Sequence, residues 1–481
     1  MKRQHKRLLL AQALACAVGV SATADAGGPH SLPNLLPFPN ASGLAATFST
    51  QGGIDLDNPF FKSLGTNGRS CATCHQPSTG WTITPANVRA RFDATRGTDP
   101  IFRTNDGSTS PLADVSTPGA RRKAYAMLLE RAVIRVGIGI PATAEFELAA
   151  VDDPYGYASA TELSLFRRPL PSANLAFLNT VMWDGRETFQ DPASHDCILG
   201  TTTCFASLQF DLADQANSAT LGHAQSVGPL SDDDQAAIVR FESGLFTAQL
   251  YDDAAGLLTA HRGNGGPRAL SQQAYHFGVN DVLSGDYATG APFDPRVFTL
   301  YDNWAKAEKR GDDDDGDRHG STAEARAAVV RGQALFNGKT IHITGVGGQN
   351  DDLHVPQLDG TCTTCHDTPG AGDHSIPMPL NLGIADASRR TPDMPLYTLR
   401  NKATGATVQT TDPGRALITG KWKDVGRFKG PVLRALASRA PYFHDGSAAS
   451  LDAAVAFYDQ RFGIGFTDQE KRDLVAFLRT L

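Results

Sequence analysis

The chain has 481 residues, of which 41% are hydrophobic and 20% are charged, and its formal net charge is −7 at pH 7. Its length predicts two or three domains rather than one core, and no apolar run beyond the N-terminus is long enough to span a membrane. The acidic balance argues against nucleic acid as a partner and is compatible with a basic, soluble electron carrier.

The N-terminus, residues 1–26, has the three parts of a Sec-type signal peptide. The basic stretch MKRQHKR is followed by the apolar stretch LLLAQALACAVGV and then by the small residues of SATADA. This pattern predicts cleavage after Ala24 or Ala26 and export to the periplasm. Cys16 leaves with the signal, so six cysteines remain. A buried N-terminal helix is the alternative, but it leaves the basic cluster without a role.

The stretch CATCH places Cys71 and Cys74 three residues apart, with His75 directly after them. A zinc site would need two further ligands nearby, yet the sequence has no cysteine or histidine between His75 and His195. A redox dithiol would make no use of the adjacent histidine. A covalently bound haem c uses all three side chains, because the thiols bind the vinyl groups and the imidazole binds the iron. CATCH therefore predicts a haem c site.

Two later cysteines, Cys197 and Cys204, enclose the short segment ILGTTT. An oxidising compartment favours a disulfide across so short a loop, and two unpaired thiols are the alternative. The sequence therefore predicts a disulfide between these two residues.

A second motif, CTTCH, contains Cys362, Cys365 and His366 and predicts a second haem c by the same argument. The acidic stretch GDDDDGDRHG at 311–320 precedes it and predicts a linker between domains.

Capping boxes at 321–324 and 467–470 predict a helix on each side of the second motif. The first helix carries an apolar face at helical spacing, formed by Ala325, Val329, Gly332 and Phe336. The second carries Leu474, Phe477, Leu478 and Leu481. A c-type cytochrome has the same order of elements: a helix, a haem-binding loop and a closing helix. Little of the sequence shows the alternation of apolar and polar residues that is typical of strands. The sequence therefore predicts a mainly α fold.

Two further segments, together with the two motifs, closely resemble the bacterial dihaem cytochrome c peroxidase/MauG family. They are NLAFLNTVMWDGRE at 174–187 and FKGPVLRALASRAPYFHDGSAASLDAAVAFYDQ at 428–460. The resemblance implies two cytochrome c-like domains, at 27–315 and 316–481, each with one haem c and packed around a shared interface. It implies reduction of hydrogen peroxide at the N-terminal haem, with electrons entering through the C-terminal haem.

The resemblance also implies roles for single residues near the N-terminal haem. Trp183, in WDGR, matches a tryptophan that relays oxidising equivalents between the haems, although a core aromatic is the alternative. Gln215 and Gln225 match a glutamine and a glutamate that line the peroxide pocket. Because glutamine cannot act as a base, Gln225 puts fast turnover in doubt, and His223 is a candidate substitute. The histidine that caps this haem in many relatives has no counterpart between His75 and His195, which resembles the MauG branch.

The resemblance offers Tyr458 as the second axial ligand of the C-terminal haem, where classical peroxidases have methionine. Tyrosine is the MauG-type choice and stabilises ferric iron. Leu451, Val455, Tyr458 and Phe462 share one helical face, so Tyr458 as a core residue is the alternative. Three rival ligands remain open: Met378, Met394 and His374.

A calcium ion lies between the haems in this family, bound by an asparagine and by backbone carbonyls. Here Arg168 falls near the asparagine position, and the carbonyls of Arg439 and Pro441 remain available, so calcium is a weaker expectation. The electron donor would be a small cytochrome or cupredoxin, or instead a side chain of a protein substrate. Many relatives form homodimers. The alternatives are a non-catalytic dihaem electron-transfer cytochrome and an oxygenase of polymers such as rubber.

Overall fold

The computed structural model describes residues 30–310 and 319–481. The predicted signal peptide and almost all of the predicted acidic linker lie outside the described residues. The helices are α1 (Pro85–Thr95), α2 (Pro118–Ala124), α3 (Ala126–Arg131), α4 (Leu208–Gly222), α5 (Asp232–Ser243), α6 (Pro267–Leu270), α7 (Asp302–Arg310), α8 (His319–Gly338), α9 (Ala416–Thr419), α10 (Leu451–Phe462) and α11 (Asp468–Leu478).

Short strands lie between these helices, and several of them belong to sheets whose members are far apart in the sequence. The strands are β1 (Ser31–Pro33), β2 (Pro37–Asn40), β3 (Gly43–Ser49), β4 (Gly53–Asp55), β5 (Ile134–Ile138), β6 (Phe146–Asp152), β7 (Leu163–Arg167), β8 (Asp196–Cys197), β9 (Cys204–Phe205), β10 (Leu245–Asp252), β11 (Gly256–Leu257), β12 (Ile341–Thr344), β13 (Gln357–Gly360), β14 (Leu396–Asn401) and β15 (Thr407–Thr410).

Every sheet pairing in the described part of the chain is antiparallel. One sheet has the order β11-β10-β3-β2 and another the order β15-β14-β6, while β1-β4, β5-β7, β8-β9 and β12-β13 form pairs. In the first sheet Thr47 lies opposite Thr247, and their hydroxyls are 2.8 Å apart.

The prediction of a mainly α fold is wrong, because helices hold 30% of the chain and strands hold 19%. Two physical reasons explain the error. The long strands β3 and β10 are buried on nearly every residue, so their side chains do not alternate between apolar and polar. Strands β12 and β14 do alternate, but they are only four and six residues long, which is short for a periodic signal.

Helices α8 and α11 pack against each other beside the second CxxCH motif. A Cβ atom at Gly332 would lie 2.0 Å from the carbonyl oxygen of Asp473, so glycine lets the two helices approach closely. Thr467 and Glu470 form the predicted capping box of α11. The first predicted box is wrong, because α8 begins at His319, and Glu324 instead forms an ion pair with Arg331 at 3.0 Å.

Packing connects the two predicted domains directly. The core around α8 and α11 includes Phe298, Tyr301 and Trp304, which precede the predicted boundary at residue 315. Strand β6 pairs with β14 across the same boundary. The division at residue 315 stays a prediction, and the shared core means that the two halves meet over apolar and hydrogen-bonded contacts.

Within the residues that the structure describes, we find no helix that combines the length and the apolar character needed to cross a bilayer.

Candidate functional site: two CxxCH turns and two adjoining cavities

The two CxxCH motifs adopt the same local structure. Each begins with one turn of 3-10 helix, Cys71–Thr73 in the first motif and Cys362–Thr364 in the second. In each turn a threonine hydroxyl accepts a hydrogen bond from the backbone amide three residues earlier, at 2.9 Å in both motifs. This turn brings the two thiols of a motif to one side of the chain, with the histidine directly after them.

Each motif histidine has one ring nitrogen engaged and the other available. His75 Nδ1 donates to the carbonyl of Trp81 at 3.0 Å, and His366 Nδ1 donates to the carbonyl of Gly372 at 2.6 Å. Burial lowers the pKa of both imidazoles to about 4, so both are neutral at pH 7. A neutral imidazole whose Nδ1 is fixed by a backbone carbonyl presents the lone pair of Nε2 to a metal.

The four motif cysteines are free thiols. Burial raises the pKa of each, so they are neutral thiols rather than reactive thiolates. Free thiols spaced three apart, with a neutral imidazole next to them at the edge of a cavity, fit covalent haem c. The residues that would hold the two haems are Cys71, Cys74, His75, Cys362, Cys365 and His366.

His75 lines a cavity, here called the first cavity, that encloses about 1070 Å³ of empty space including its open mouth. Gln215 on α4 and His223 at the end of that helix line the same cavity, and so does Trp183. Gln225 does not line it: this residue is exposed, has a left-handed φ of 55°, and accepts a hydrogen bond from Asn67 at 3.2 Å. The structure therefore brings together Gln215, His223 and Trp183 but not Gln225.

His223 is the end of a charged chain that reaches the first cavity. Its Nδ1 lies 2.5 Å from Asp106 Oδ2, and the other oxygen of Asp106 accepts from Arg69 at 2.5 Å. Burial by itself would raise the pKa of Asp106, but the hydrogen bond from His223 and the charge of Arg69 hold that pKa below its usual value. Asp106 is therefore a carboxylate at neutral pH, and it fixes the orientation of the imidazole.

His366 lines the second cavity, which encloses about 1700 Å³ of empty space including its open mouth. Its lining is mostly apolar and includes Tyr458 on α10, Met378 and His374. Met394 lies elsewhere, in a buried cluster with Met127, Val133 and Phe166. Three of the four proposed ligands thus face the cavity of the second motif. Burial raises the pKa of Tyr458, so its hydroxyl is neutral in the protein as described.

Trp183 lies between the two cavities and lines both of them. Its indole nitrogen donates to the carbonyl of Arg168 at 2.8 Å, and its own carbonyl accepts from the amide of Lys429 at 2.9 Å. The ring lies 6.4 Å from that of His444, which stacks on Phe428. The position of the predicted relay residue is therefore fixed from both sides.

The guanidinium of Arg168 is buried at the same junction, and its hydrogen bonds within the described residues go to backbone carbonyls. It donates to the carbonyls of Ile83, Arg131 and Arg439 at 2.9 to 3.0 Å. Burial, followed by the charge of Arg439, lowers the pKa of Arg168 to about 9. The carbonyl of Arg439, which the resemblance offers to calcium, thus already faces a cationic side chain.

Cys197 and Cys204 form a disulfide that connects β8 to β9. The loop that it closes precedes α4, the helix that carries Gln215.

Sequence reasoning missed two buried titratable residues that line the cavities. Glu242 lines the first cavity, and burial raises its pKa to about 8. Lys429 lines both cavities, and burial lowers its pKa to about 8. Glu242 follows Ile238 by four residues on α5, so a carboxylate on an apolar helix face was a signal available in the sequence.

No protein-family model matches the chain. It is similar to the cytochrome-c peroxidase IdrP1 of Denitromonas iodatirespirans, with 31% identity over 186 residues, which are 34% of this chain and 42% of that protein. The cytochrome c551 peroxidase of Nitrosomonas europaea is 30% identical over 142 residues, 28% of this chain and 36% of that protein. The chain thus spans less than half the length of these relatives.

The methylamine utilization protein MauG of Methylorubrum extorquens is 42% identical over 65 residues, 11% of this chain and 18% of that protein. A solved MauG-like protein associated with microbial copper homeostasis covers 95% of both chains at 17% identity and a TM-score of 0.34. The two CxxCH motifs and the matches to the curated relatives make this chain similar to members of the dihaem cytochrome c peroxidase/MauG family.

Proposed function

We propose that this chain is a periplasmic dihaem c oxidoreductase that reduces hydrogen peroxide in the first cavity with electrons that enter through the second. The observation that carries the proposal is the position of Trp183, whose side chain lines both cavities between the two CxxCH histidines. The names of the matched peroxidases support the same reaction. When bound, haem would supply an iron centre that binds peroxide in the first cavity and a redox centre in the second.

The reaction consumes one hydrogen peroxide, two electrons and two protons and yields two waters. The protein must therefore hold the peroxide and supply protons where its O–O bond breaks. Gln215 can donate a hydrogen bond to peroxide but cannot transfer a proton. His223 can do both, because Asp106 holds one ring nitrogen and leaves the other for the cavity. The side chain of His223 is 40% exposed, so it can exchange protons with solvent.

Arg69 and Asp106 are positioning residues in this scheme. Asp106 orients the imidazole, as a carboxylate beside a histidine does in other acid–base pairs. The Arg69 guanidinium keeps Asp106 ionised and fixes it in place, since it also donates to the carbonyls of Pro100 and Ile101. We assign the proton transfer to His223 rather than Gln225, because only His223 lines the first cavity.

Calcium is left out of the proposal because Arg168 already places a cationic side chain at the carbonyl of Arg439. A small cytochrome or cupredoxin is the proposed electron donor.

The test of the electron path is Trp183→Phe, with Trp422→Phe as the matched control. Trp422 packs on Phe146 and lines neither cavity, so the control makes the same chemical change away from the path. With a reduced small cytochrome as donor, we expect Trp183→Phe to lower steady-state turnover while the ferric protein still consumes one equivalent of peroxide in stopped flow. Turnover equal to that of the control would contradict the relay.

A second candidate function, oxidation of side chains on a protein substrate, is favoured by the position of Tyr458 in the second cavity. A tyrosinate ligand stabilises ferric iron and therefore suits a haem with a low reduction potential. Tyr458→Phe should make the second haem partly high-spin in the ferric electronic spectrum, whereas Met394→Leu, outside that cavity, should leave the spectrum unchanged. An unchanged spectrum in Tyr458→Phe would exclude the tyrosine ligand and with it the structural support for this second function.

A further inference from the structure

We propose that Asp281, Asp367 and His374 form a binding site for a divalent transition-metal cation, distinct from the two haem sites. A ligand atom from each of these side chains lies within 4.8 Å of the other two. The three residues are 1%, 0% and 6% exposed, so the cluster is closed to bulk solvent. Two carboxylates and an imidazole are a donor set that suits zinc and related borderline cations.

The hydrogen bonds around the cluster leave one oxygen of Asp281 and both ring nitrogens of His374 unpaired among the described residues. Asp281 Oδ1 accepts from the amides of Leu283 and Ser284, at 3.1 and 2.6 Å, while Asp281 Oδ2 has no hydrogen-bond partner among the described residues. Both ring nitrogens of His374 are likewise without a hydrogen-bond partner in the described part of the chain. Buried polar atoms rarely stay without a hydrogen-bond partner, so these unpaired atoms indicate that the cluster binds a group from outside the protein chain.

The second carboxylate is held in a matching way. Asp367 Oδ1 accepts from the amide of Ser375 at 2.7 Å, and Asp367 Oδ2 accepts from the hydroxyl of Ser375 at 3.2 Å. Asp367 Oδ2 lies 3.3 Å from His374 Nδ1. Two ligand atoms at about 2.1 Å from one tetrahedral ion are separated by about 3.4 Å, so the observed separation fits two donors on a shared cation.

The charges of the cluster point the same way. Two buried carboxyl groups lie close to each other, and in the described ranges neither forms a salt bridge with a lysine or arginine. A divalent cation would bind both groups in their ionised form and offset the two negative charges. Calcium suits the cluster less well than zinc, because calcium takes six to eight oxygen ligands, whereas this site offers an imidazole nitrogen and few oxygens.

The site would join two parts of the chain that are distant in sequence. Asp281 lies on the loop after α6, and Asp367 directly follows the haem-binding His366. A hydrogen bond already links these parts, since the side-chain amide of Asn280 donates to the carbonyl of Asp367 at 3.1 Å. A bound ion would therefore tie this loop to the second CxxCH turn and stabilise the wall of the second cavity.

The test is zinc binding by the dihaem protein as purified, measured by competition with a chromophoric chelator and by elemental analysis against the two irons. We expect one zinc per chain, and we expect Asp281→Asn or His374→Gln to weaken binding by about 100-fold or more, since each removes a ligand. The matched control is Asp286→Asn on the same loop. This change removes another Asp–His contact, between Asp286 and His276 at 3.2 Å, and the variant should bind zinc as the unmodified protein does.

Two further readouts keep the proposal open to refutation. Zinc should raise the midpoint of thermal unfolding in a concentration-dependent way for the unmodified protein and the control but not for Asp281→Asn. The haem spectra should be the same in the unmodified protein, in Asp281→Asn and in Asp286→Asn, which separates this site from iron ligation and from peroxidase activity. An unmodified protein that takes up no zinc, or a His374→Gln variant that binds it as tightly, would overturn the proposal.

Discussion

The two cavities start from the same chemical motif and differ in what surrounds it. Both CxxCH turns have the same capping threonine and the same histidine-to-carbonyl hydrogen bond. The first cavity adds polar side chains that reach it from helices α4 and α5, namely Gln215, His223 and Glu242. The second cavity is lined mainly by apolar residues, several of them on α10 and α11, and α10 also contributes Tyr458.

In the proposed function, this difference would let one cofactor serve two purposes. The turn would supply attachment and the first axial ligand, and it is nearly identical in both motifs. Chemistry with a small substrate needs groups that hold and move protons, and the first cavity presents His223 and Glu242 beside Gln215. Electron transfer needs an enclosed, low-dielectric site and a short route out, and the apolar second cavity adjoins Trp183.

The largest expected effect comes from removing one predicted haem attachment at a time. The double change of Cys71 and Cys74 to alanine should leave one covalent haem per chain and abolish the reaction with peroxide. The same change at Cys362 and Cys365 should also leave one haem but keep a stoichiometric reaction with peroxide, while turnover with a donor falls to background. Pyridine haemochrome spectra count the haems, and stopped flow follows the peroxide. Equal loss of the peroxide reaction in both variants would refute the division of roles.

A sharper test concerns the proton-transfer group of the first cavity. His223→Gln keeps a hydrogen-bonding side chain but removes the base, so we expect kcat/KM for peroxide to fall by about 10² to 10⁴-fold. Asp106→Asn should lower it less, because it disturbs the orientation of the imidazole and not the group itself.

Gln225→Ala is the matched control for this experiment. It changes the residue that the family alignment places in the peroxide pocket, but the structure shows that side chain exposed and outside the first cavity. We expect kcat/KM for Gln225→Ala to match that of the unmodified protein. A large loss in Gln225→Ala with none in His223→Gln would return the role to the aligned position.

The residues that could be predicted from the sequence are those whose chemistry is local. The CxxCH motif lies within five residues, and the capping box of α11 consists of Thr467 and Glu470, three residues apart. Both can therefore be recognised in a short stretch of sequence. For Gln225, matching positions by their spacing along the chain gave the wrong location for the side chain. Helix α4 ends at Gly222, and the left-handed backbone at Gln225 carries its side chain away from the cavity that Gln215 faces.

Contacts between residues that are far apart in the sequence could not be predicted from short sequence patterns. Asp106 and His223 are 117 residues apart, and no short pattern connects them. Strands β3 and β10 pair across about 200 residues and are buried on both faces, so alternation, the usual signature of a half-buried strand, is missing. The mainly α prediction failed for that reason, whereas the helix that carries Tyr458 has apolar residues at helical spacing.

The smallest predicted effect concerns Glu242, a buried carboxyl group of the first cavity. Burial raises its pKa from 4.5 to about 8, and one of its oxygens has no hydrogen-bond partner among the described residues. Between these two pH values the folded protein keeps the proton while the unfolded chain releases it. The free energy of unfolding should therefore fall as pH rises from 4.5 to 8, by an amount on the order of 4 kcal/mol from this group.

Glu242→Gln should remove that slope, because the amide cannot lose a proton at any pH in this range. Urea titrations at pH 5 and pH 8 measure it, and we expect the variant to gain stability over the unmodified protein at pH 8 but not at pH 5. Glu130→Gln, on the exposed side of α3, makes the same change of charge at the surface and should keep the slope of the unmodified protein. If Glu242→Gln keeps the slope as well, Glu242 is ionised in the folded protein, and the first cavity then holds a permanent negative charge beside His75.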